Sequence, residues 1–325
     1  MQLRKLGRSG VEIPEIGLGC WQLGGGWGNS WDNDIAQKIL ESAYRAGVRF
    51  IDTADVYGEG ASELSVGEFL RRHDDVTVAT KLGRGAIYPN GYTRDAVRSA
   101  TLRSIERLGV SRLDLTQLHC VPLAVLREGK IFDWLRELRD EGLISHFGAS
   151  VETVEEGLVC LEQQGLTSLQ IIFNIFRQKP LQELLPCAQE KGVGIIVRLP
   201  LASGLLSGKM TRDTVFRAGD HRHFNRDGQQ FNVGETFAGI EFATGVSLAE
   251  QVAAHVPEGM AMAQMALRWI LDHDAVSVII PGASSPSQVE ANCSASQLPA
   301  LSSEVHRELA DFYRERIHAA IRGPY

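Results

Sequence analysis

The sequence has no run of ~18 apolar residues, which excludes a membrane-spanning helix. It has no long basic stretch either. Its 33 Lys and Arg against 40 Asp and Glu leave a net charge of −7, a poor balance for binding nucleic acid. The start, MQLRKLGRSG, lacks an apolar core after its charges and does not read as a secretory signal. Cysteine is scarce and scattered: Cys20, Cys120, Cys160, Cys187 and Cys293 show no metal or redox spacing, so the expected setting is the reducing cytoplasm and no metal is expected. There is no internal repeat and no low-complexity tract. With 22% charged and 44% hydrophobic residues, the composition is that of a globular protein rather than a disordered or fibrous one. No G-x-G-x-x-G stands between a strand and a helix; Gly24, Gly25, Gly26 and Gly28 lack that spacing.

What is present is an alternation. Short apolar runs fall at 15–20, 49–53, 77–82, 113–119, 145–150, 168–173, 194–199 and 276–282. Most are apolar on both faces, as strands of a parallel sheet covered by helices are. Between them lie amphipathic segments. Ala36, Ile39, Leu40 and Ala43 make one apolar stripe, and 94–109 has Thr93 and Asp95 as start signals and Gly109 as a stop. Segments 130–141, 152–164, 180–191 and 260–273 read similarly, and an accessory helix near 302–320 carries Leu309, Phe312, Tyr313 and Ile317 on one face. Eight such units predict a (β/α)8 TIM barrel formed by 1–325 as a single domain. An open doubly wound sheet is the competitor. Residues 2–14 predict a short N-terminal hairpin, with Gly7 and Gly10 as turn residues, closing the barrel floor. A long rim loop is expected at about 210–246, where Phe216, Phe224, Phe231, Phe237 and Phe242 argue against disorder.

In such a barrel the carboxyl ends of the strands face the active site. Asp52 ends the second strand, Tyr57 follows it, Lys81 ends the third strand and His119 the fourth. Singly, each has an ordinary explanation: a turn carboxylate, a packed ring, a solvated lysine, a rim histidine. Together, at successive strand ends, they converge on one spot.

The segments FIDTADVYGEGASE, VATKLG, DLTQLH, FGAS, PLASGLLSGK and IIPGASSPSQVEAN, in that order, resemble the aldo-keto reductase family over essentially the whole chain. The resemblance implies an (α/β)8 barrel, a nicotinamide cofactor and reversible reduction of aldehyde or ketone carbonyls. It places the catalytic tetrad on Asp52, Tyr57, Lys81 and His119. Tyr57 would donate the proton, Lys81 would make it a stronger acid, Asp52 would hold Lys81, and His119 would orient the carbonyl oxygen. Trp21, Tyr57 and His119 would touch substrate, with Cys20, Tyr88, Trp27 and Trp31 as further candidates for the pocket or the core. The resemblance also implies the cofactor contacts. Gly19, Cys20, Trp21 and Asp52 would line its nicotinamide end. Ser150 and Gln170 would bind the carboxamide. Arg198 would stand at the nicotinamide, Leu199, Pro200, Leu201, Gly204 and Lys209 would wrap the pyrophosphate, and Pro281, Gly282, Ser284, Gln288 and Asn292 would bind the adenosine end.

Three departures from the family pattern stand out. Val151 replaces a frequent Asn, Arg198 stands where an aromatic commonly stacks on the nicotinamide, and Gln288 stands where a basic residue often grips the 2′-phosphate. Ser284 with Gln288 favours NADPH, with NADH left open, and Arg222 or Arg226 would supply missing charge. The alternatives are an oxidative sugar or alcohol dehydrogenase and a cofactor-holding auxiliary subunit with little turnover. A metal-dependent hydrolase has only His119 and Asp52 as ligands and is disfavoured. The expected partner is a small carbonyl or alcohol, with no nucleic acid and no membrane; the oligomeric state is not legible.

Overall fold

A computed structural model describes residues 1–25 and 30–325. Two short strands, β1 (Leu3–Lys5) and β2 (Glu12–Pro14), form an antiparallel hairpin. Eight parallel strands follow: β3 (Leu18–Gly19), β4 (Phe50–Asp52), β5 (Thr77–Leu82), β6 (Leu113–His119), β7 (Ile144–Ser150), β8 (Leu166–Ile172), β9 (Gly194–Arg198) and β10 (Val276–Ile279). They form one sheet in sequential order from β3 to β10, matching the eight predicted runs. The sheet curls into a nearly closed barrel. Its seam, between β3 and β10, is joined by two isolated bridges, Ile16 with Ile279 and Gly19 with Gly282, rather than by a ladder.

The helices α1 (Asn33–Arg45), α2 (Ala61–Leu70), α3 (Arg94–Leu108), α4 (Leu123–Glu128), α5 (Lys130–Asp140), α6 (Val154–Leu161) and α7 (Leu184–Lys191) precede β9. Then come α8 (His221–Phe224), α9 (Phe242–Val252), α10 (Met262–Leu271), α11 (Pro286–Ser294) and α12 (Ser303–Phe312). Their ends follow local chemistry. Thr93 accepts from the Ala96 amide at the start of α3, and Gly109 ends that helix with φ +67°. Thr153 and Glu156 form a reciprocal capping box on α6. The last predicted helix spans its pattern in three contiguous pieces: α12 to Phe312, a π-helical turn, Tyr313–Ile317, and a short 3-10 turn to Ala320.

The apolar residues divide by face. Inside the barrel, Phe50, Ala79, Leu115, Ile196, Val278 and Ile280 pack with Leu6 and Ile13, so the hairpin plugs the floor. The outward faces pack under the helices; Ile39, Leu40, Phe132, Leu135, Trp269 and Ile270 are all buried there. Each such side chain stabilises by about 1.5–3 kcal/mol, so the barrel-to-helix layer dominates folding.

The long connection after β9 is ordered. Phe216, Phe237 and Phe242 form a buried triangle with ring separations of 5.7, 5.4 and 4.9 Å. The expected loop is interrupted by α8 and ends earlier than its pattern suggested, because the Glu241 carboxylate caps Ala243 and Thr244 and starts α9 at Phe242. Residues 322–325 strap it down. Arg322 Nε donates to the Gly239 carbonyl at 2.9 Å, and its guanidinium pairs with Asp227 at 2.6 Å. Lys179 Nζ donates to the Tyr325 main-chain oxygen at 2.6 Å, and the Arg177 guanidinium lies 4.8 Å from the Tyr325 ring.

Candidate active site

At the carboxyl end of the barrel, β4, β5 and β6 bring three ionisable residues together, and the turn after β4 adds Tyr57. The Lys81 ammonium, 1% exposed, uses all three of its hydrogens. It donates to Asp52 Oδ1 at 2.5 Å, to the Thr53 carbonyl at 2.8 Å and to the Tyr57 hydroxyl at 3.1 Å. Asp52 Oδ2 accepts from Gln117 at 3.1 Å and from Gln170 at 2.7 Å. The ion pair is therefore desolvated but saturated with hydrogen bonds, the condition under which a buried pair is tolerated. The His119 ring stands edge-on to Tyr57 at 5.7 Å.

The electrostatics assign protonation states. Burial disfavours charge on Lys81, but Asp52 and Tyr57 outweigh it and hold its pKa above the usual lysine value. Burial pushes Tyr57 up, Lys81 pulls it down, and the net direction is up, so Tyr57 holds its proton at neutral pH. Lys81 thus acts on Tyr57 in the expected direction, and burial adds a larger opposing effect. Burial, together with Arg84, Lys81 and Arg198, depresses His119 well below the usual histidine value, so it is neutral.

These residues open onto a cavity of about 320 Å³. Its wall includes Gly19, Cys20, Trp21, Asp52, Tyr57, His119, Gln170, Arg198, Leu199, Pro200, Leu201, Gly204, Pro281 and Gly282. Trp21 is held from above by the rim loop, its ring 4.5 Å from that of His221. Ser150 is buried behind the wall and donates to Gln170 Oε1 at 3.4 Å. With Ser150, five of the expected cofactor residues lie outside the cavity wall. Lys209 is exposed. Ser284 and Gln288 are exposed and joined, the Gln288 side-chain oxygen accepting from the Ser284 amide at 2.8 Å and its hydroxyl at 3.1 Å. Asn292 donates to the Gly282 carbonyl at 3.3 Å. Tyr88 is 49% exposed and Trp31 48%, so neither is pocket or core. Gly26, Trp27 and Gly28 lie outside the described residues.

The structure adds Gln22, Val56, Arg84, Ser203, Phe231, Glu235 and Ile280 to the wall. Arg84 follows β5 by two residues, and its strand-end position was the signal that could have found it. Glu235 comes from the rim loop and carried no local signal. The Arg84 guanidinium grips it in a fork, with Nη1 3.1 Å from Oε2 and Nη2 3.0 Å from Oε1. Arg198 Nη1 lies 3.6 Å from the same Glu235 Oε1, while Arg198 Nη2 donates to the Val151 carbonyl at 3.1 Å. Two departures from the family pattern, Val151 and Arg198, are therefore bonded to each other.

The site suits a nucleotide with an amide-bearing ring. Among the described residues, Gln22 Oε1, His119 Nδ1 and Arg198 Nε are buried without a hydrogen-bond partner, and all three residues line the cavity. Such groups are normally satisfied, so a polar ligand fits here. Leu199, Ala202 and Ser203 hold φ of +52°, +49° and +57°, a left-handed geometry that non-glycine residues adopt at roughly 1 kcal/mol or more each. Strain concentrated beside a cavity, with turning amides, fits an anion cradle.

Comparison with known proteins gives a consistent picture. A sequence model of the Aldo/keto reductase family matches residues 15–314. The NADH-specific methylglyoxal reductase of Escherichia coli is 29% identical, covering 89% of this chain and 92% of its own length. Among solved structures, an aldo-keto reductase from Bacillus halodurans in its holo form superposes with a TM-score of 0.77 at 26% identity, covering 100% of this chain and 98% of its own. The glycerol dehydrogenase of Gluconobacter oxydans gives 0.77 and 26%, covering 99% and 98%.

Proposed function

The chain belongs to the aldo/keto reductase family, an NAD(P)H-dependent oxidoreductase family, and from that premise we propose that it reduces aldehyde or ketone carbonyls with NADPH, Tyr57 donating the proton. The observation that carries this reading is the Tyr57 hydroxyl bonded to Lys81 at 3.1 Å, beside neutral His119, at one wall of the cavity.

A bound reduced nicotinamide supplies the hydride to the carbonyl carbon. The protein supplies the rest. His119, neutral and on the cavity wall, would hydrogen-bond the carbonyl oxygen and orient it. Tyr57 then releases its proton to that oxygen as charge develops. Lys81 stabilises the phenolate left behind, and Asp52 keeps Lys81 charged. Because burial keeps Tyr57 protonated, the resting site is prepared for reduction; the reverse reaction needs the phenolate first.

Ser150 and Gln170 would bind the carboxamide, Leu199–Gly204 the pyrophosphate and Pro281–Asn292 the adenosine end. Ser284 and Gln288, at the N-terminus of α11, suit a 2′-phosphate, which favours NADPH. The E. coli relative is named for NADH, so the preference needs direct titration. Fluorescence titration of both nucleotides, followed by absorbance decay with a carbonyl panel, tests the reading. Tyr57→Phe should retain nucleotide binding and lose nearly all turnover. Wild-type turnover by that variant removes Tyr57 as the acid, and no binding of either nucleotide removes the reading.

A further inference from the structure

Beyond His119 the cavity wall carries two guanidinium groups, Arg84 and Arg198. A pair of half-buried arginines converging on a substrate pocket is the usual means of holding a carboxylate or phosphate. Here the position is taken by the protein itself. Glu235 arrives from the rim loop and receives the fork of Arg84 at 3.1 and 3.0 Å and the approach of Arg198 at 3.6 Å. Glu152 takes a further bond from Arg84 at 3.0 Å.

The two guanidinium groups are matched: Arg84 and Arg198 face Glu235 and Glu152, Lys81 faces Asp52, and the buried Arg177 guanidinium stands behind the cluster. Burial opposes the charge on Glu235, but Arg84 and Arg198 outweigh it and bring its pKa to about 2, so it is ionised at every working pH.

Glu235 is also fixed. Its carbonyl accepts from the Ser203 hydroxyl at 3.2 Å, and Asn232 donates to Glu152 at 2.8 Å. Gly234 lies so close under Arg177 that a Cβ there would come within 1.9 Å of Nη1. The strap of residues 322–325 closes on the same loop.

We propose that Glu235 is a specificity-determining residue: by occupying the Arg84–Arg198 fork it reserves the pocket for uncharged carbonyl compounds and rejects those carrying a carboxylate. An incoming carboxylate finds both guanidinium groups neutralised and meets a like charge held in place. An uncharged carbonyl compound meets Trp21, Val56, Tyr57, Phe231 and Ile280, with no charge to displace. The inference rests on the oxidoreductase reading of the site.

The experiment compares kcat/KM for 4-carboxybenzaldehyde with that for its methyl ester, in the wild type and in Glu235→Gln. Glu235→Gln keeps the shape and leaves one unmatched positive charge beside the bound substrate. One such charge at ~5 Å and an effective dielectric of ~20 raises the charged-to-neutral ratio by about 10- to 100-fold after screening. The double variant Arg84→Gln/Glu235→Gln removes one charge of each sign, returns the wild-type net charge and should bring the ratio back toward the wild type. Should Glu235→Gln fail to fold, Arg84→Gln alone leaves excess negative charge and is expected to lower the ratio instead. A ratio in Glu235→Gln, or in Arg84→Gln if that is the variant measured, within about twofold of the wild type overturns the proposal, as does a wild type that already prefers the carboxylated aldehyde. Both outcomes leave the oxidoreductase reading standing. Absence of nucleotide-dependent turnover of either aldehyde by the wild type removes that reading and the inference with it.

Discussion

Replacing Lys81 by Met tests the buried triad at two levels, because one ammonium group serves both folding and chemistry. Its loss removes the ionic partner of Asp52 and the only side-chain donor on the Tyr57 hydroxyl among the described residues. Breaking a buried ion pair destabilises by about 3–5 kcal/mol, and the lower end applies here because Gln117 and Gln170 still donate to Asp52. For the chemistry, a unit charge 3.1 Å from the phenolate oxygen at an effective dielectric of ~20 contributes roughly 5 kcal/mol. Only part of that is felt in the transition state, so turnover should fall about 100- to 10,000-fold. The assays are urea unfolding and the first-order rate of nucleotide oxidation at saturating carbonyl. Adding Asp52→Asn to Lys81→Met should restore much of the stability, since the stranded carboxylate is gone, and none of the turnover. A double variant no more stable than the single would refute the buried-pair argument. A single variant with more than a tenth of normal turnover would refute the role of Lys81 on Tyr57.

Further outcomes follow from the charges and contacts. With His119 held well below the usual histidine pKa and Tyr57 above the usual tyrosine value, reductive kcat/KM should be flat from about pH 6 to 8 and fall only above about 10, while oxidation rises there. An inflection near 6.5 that disappears in His119→Gln would contradict this. Asp55 is half-buried, its Oδ1 enclosed and lacking a partner among the described residues, and burial plus Glu63 pushes its carboxyl up to about 7. The folded state therefore holds a proton that the unfolded chain has released, and stability falls as pH rises from about 4 to 7. Asp55→Asn should thus stabilise at pH 8, by up to about 4 kcal/mol, and hardly at all at pH 4, as read from denaturation midpoints. Arg322→Ala removes the bonds to Gly239 and Asp227 and should raise proteolytic cleavage within 222–240. Unchanged cleavage would mean that the phenylalanine triangle alone holds the loop.

What the sequence revealed and concealed has physical reasons. The eight strands were legible because buried parallel strands are apolar on both faces, and the convergence of Asp52, Tyr57, Lys81 and His119 because they stand at or just after successive strand ends. Helix α2 gave no stripe: seven of its ten residues are buried, including Ser62, Glu63 and Ser65. A helix wrapped on several sides has no 3.6-residue contrast to detect. Glu63 shows why, since its charge is met by Arg107 at 2.6 Å and by Thr80 at 2.5 Å, partners far along the chain. Glu235 was concealed for a related reason. Nothing near it in sequence distinguishes it from a solvated loop carboxylate until the loop folds back on Arg84 and Arg198. The pull of Lys81 on Tyr57 was legible because a neighbouring cation is visible in sequence; the opposing push of burial was not, because depth is not.

The seam between β3 and β10 is the weakest joint of the cylinder. Seven of the barrel's strand contacts are ladders, whereas the eighth is two bridges and a few main-chain bonds, among them Gly17 N to the Ile279 carbonyl at 2.8 Å and Gly19 N to the Pro281 carbonyl at 3.2 Å. Cys20 and Trp21 lie just past one lip of that seam, and Pro281 and Gly282 form the other, all on the cavity wall. A nucleotide seated as proposed would touch both lips at once and act as a staple across the weakest joint of the cylinder. At a hundredfold excess over its Kd it would stabilise the fold by about 2.7 kcal/mol, and that gain would be concentrated at one joint. The same joint would unzip first on heating, so loss of the cofactor and opening of the barrel would be a single event.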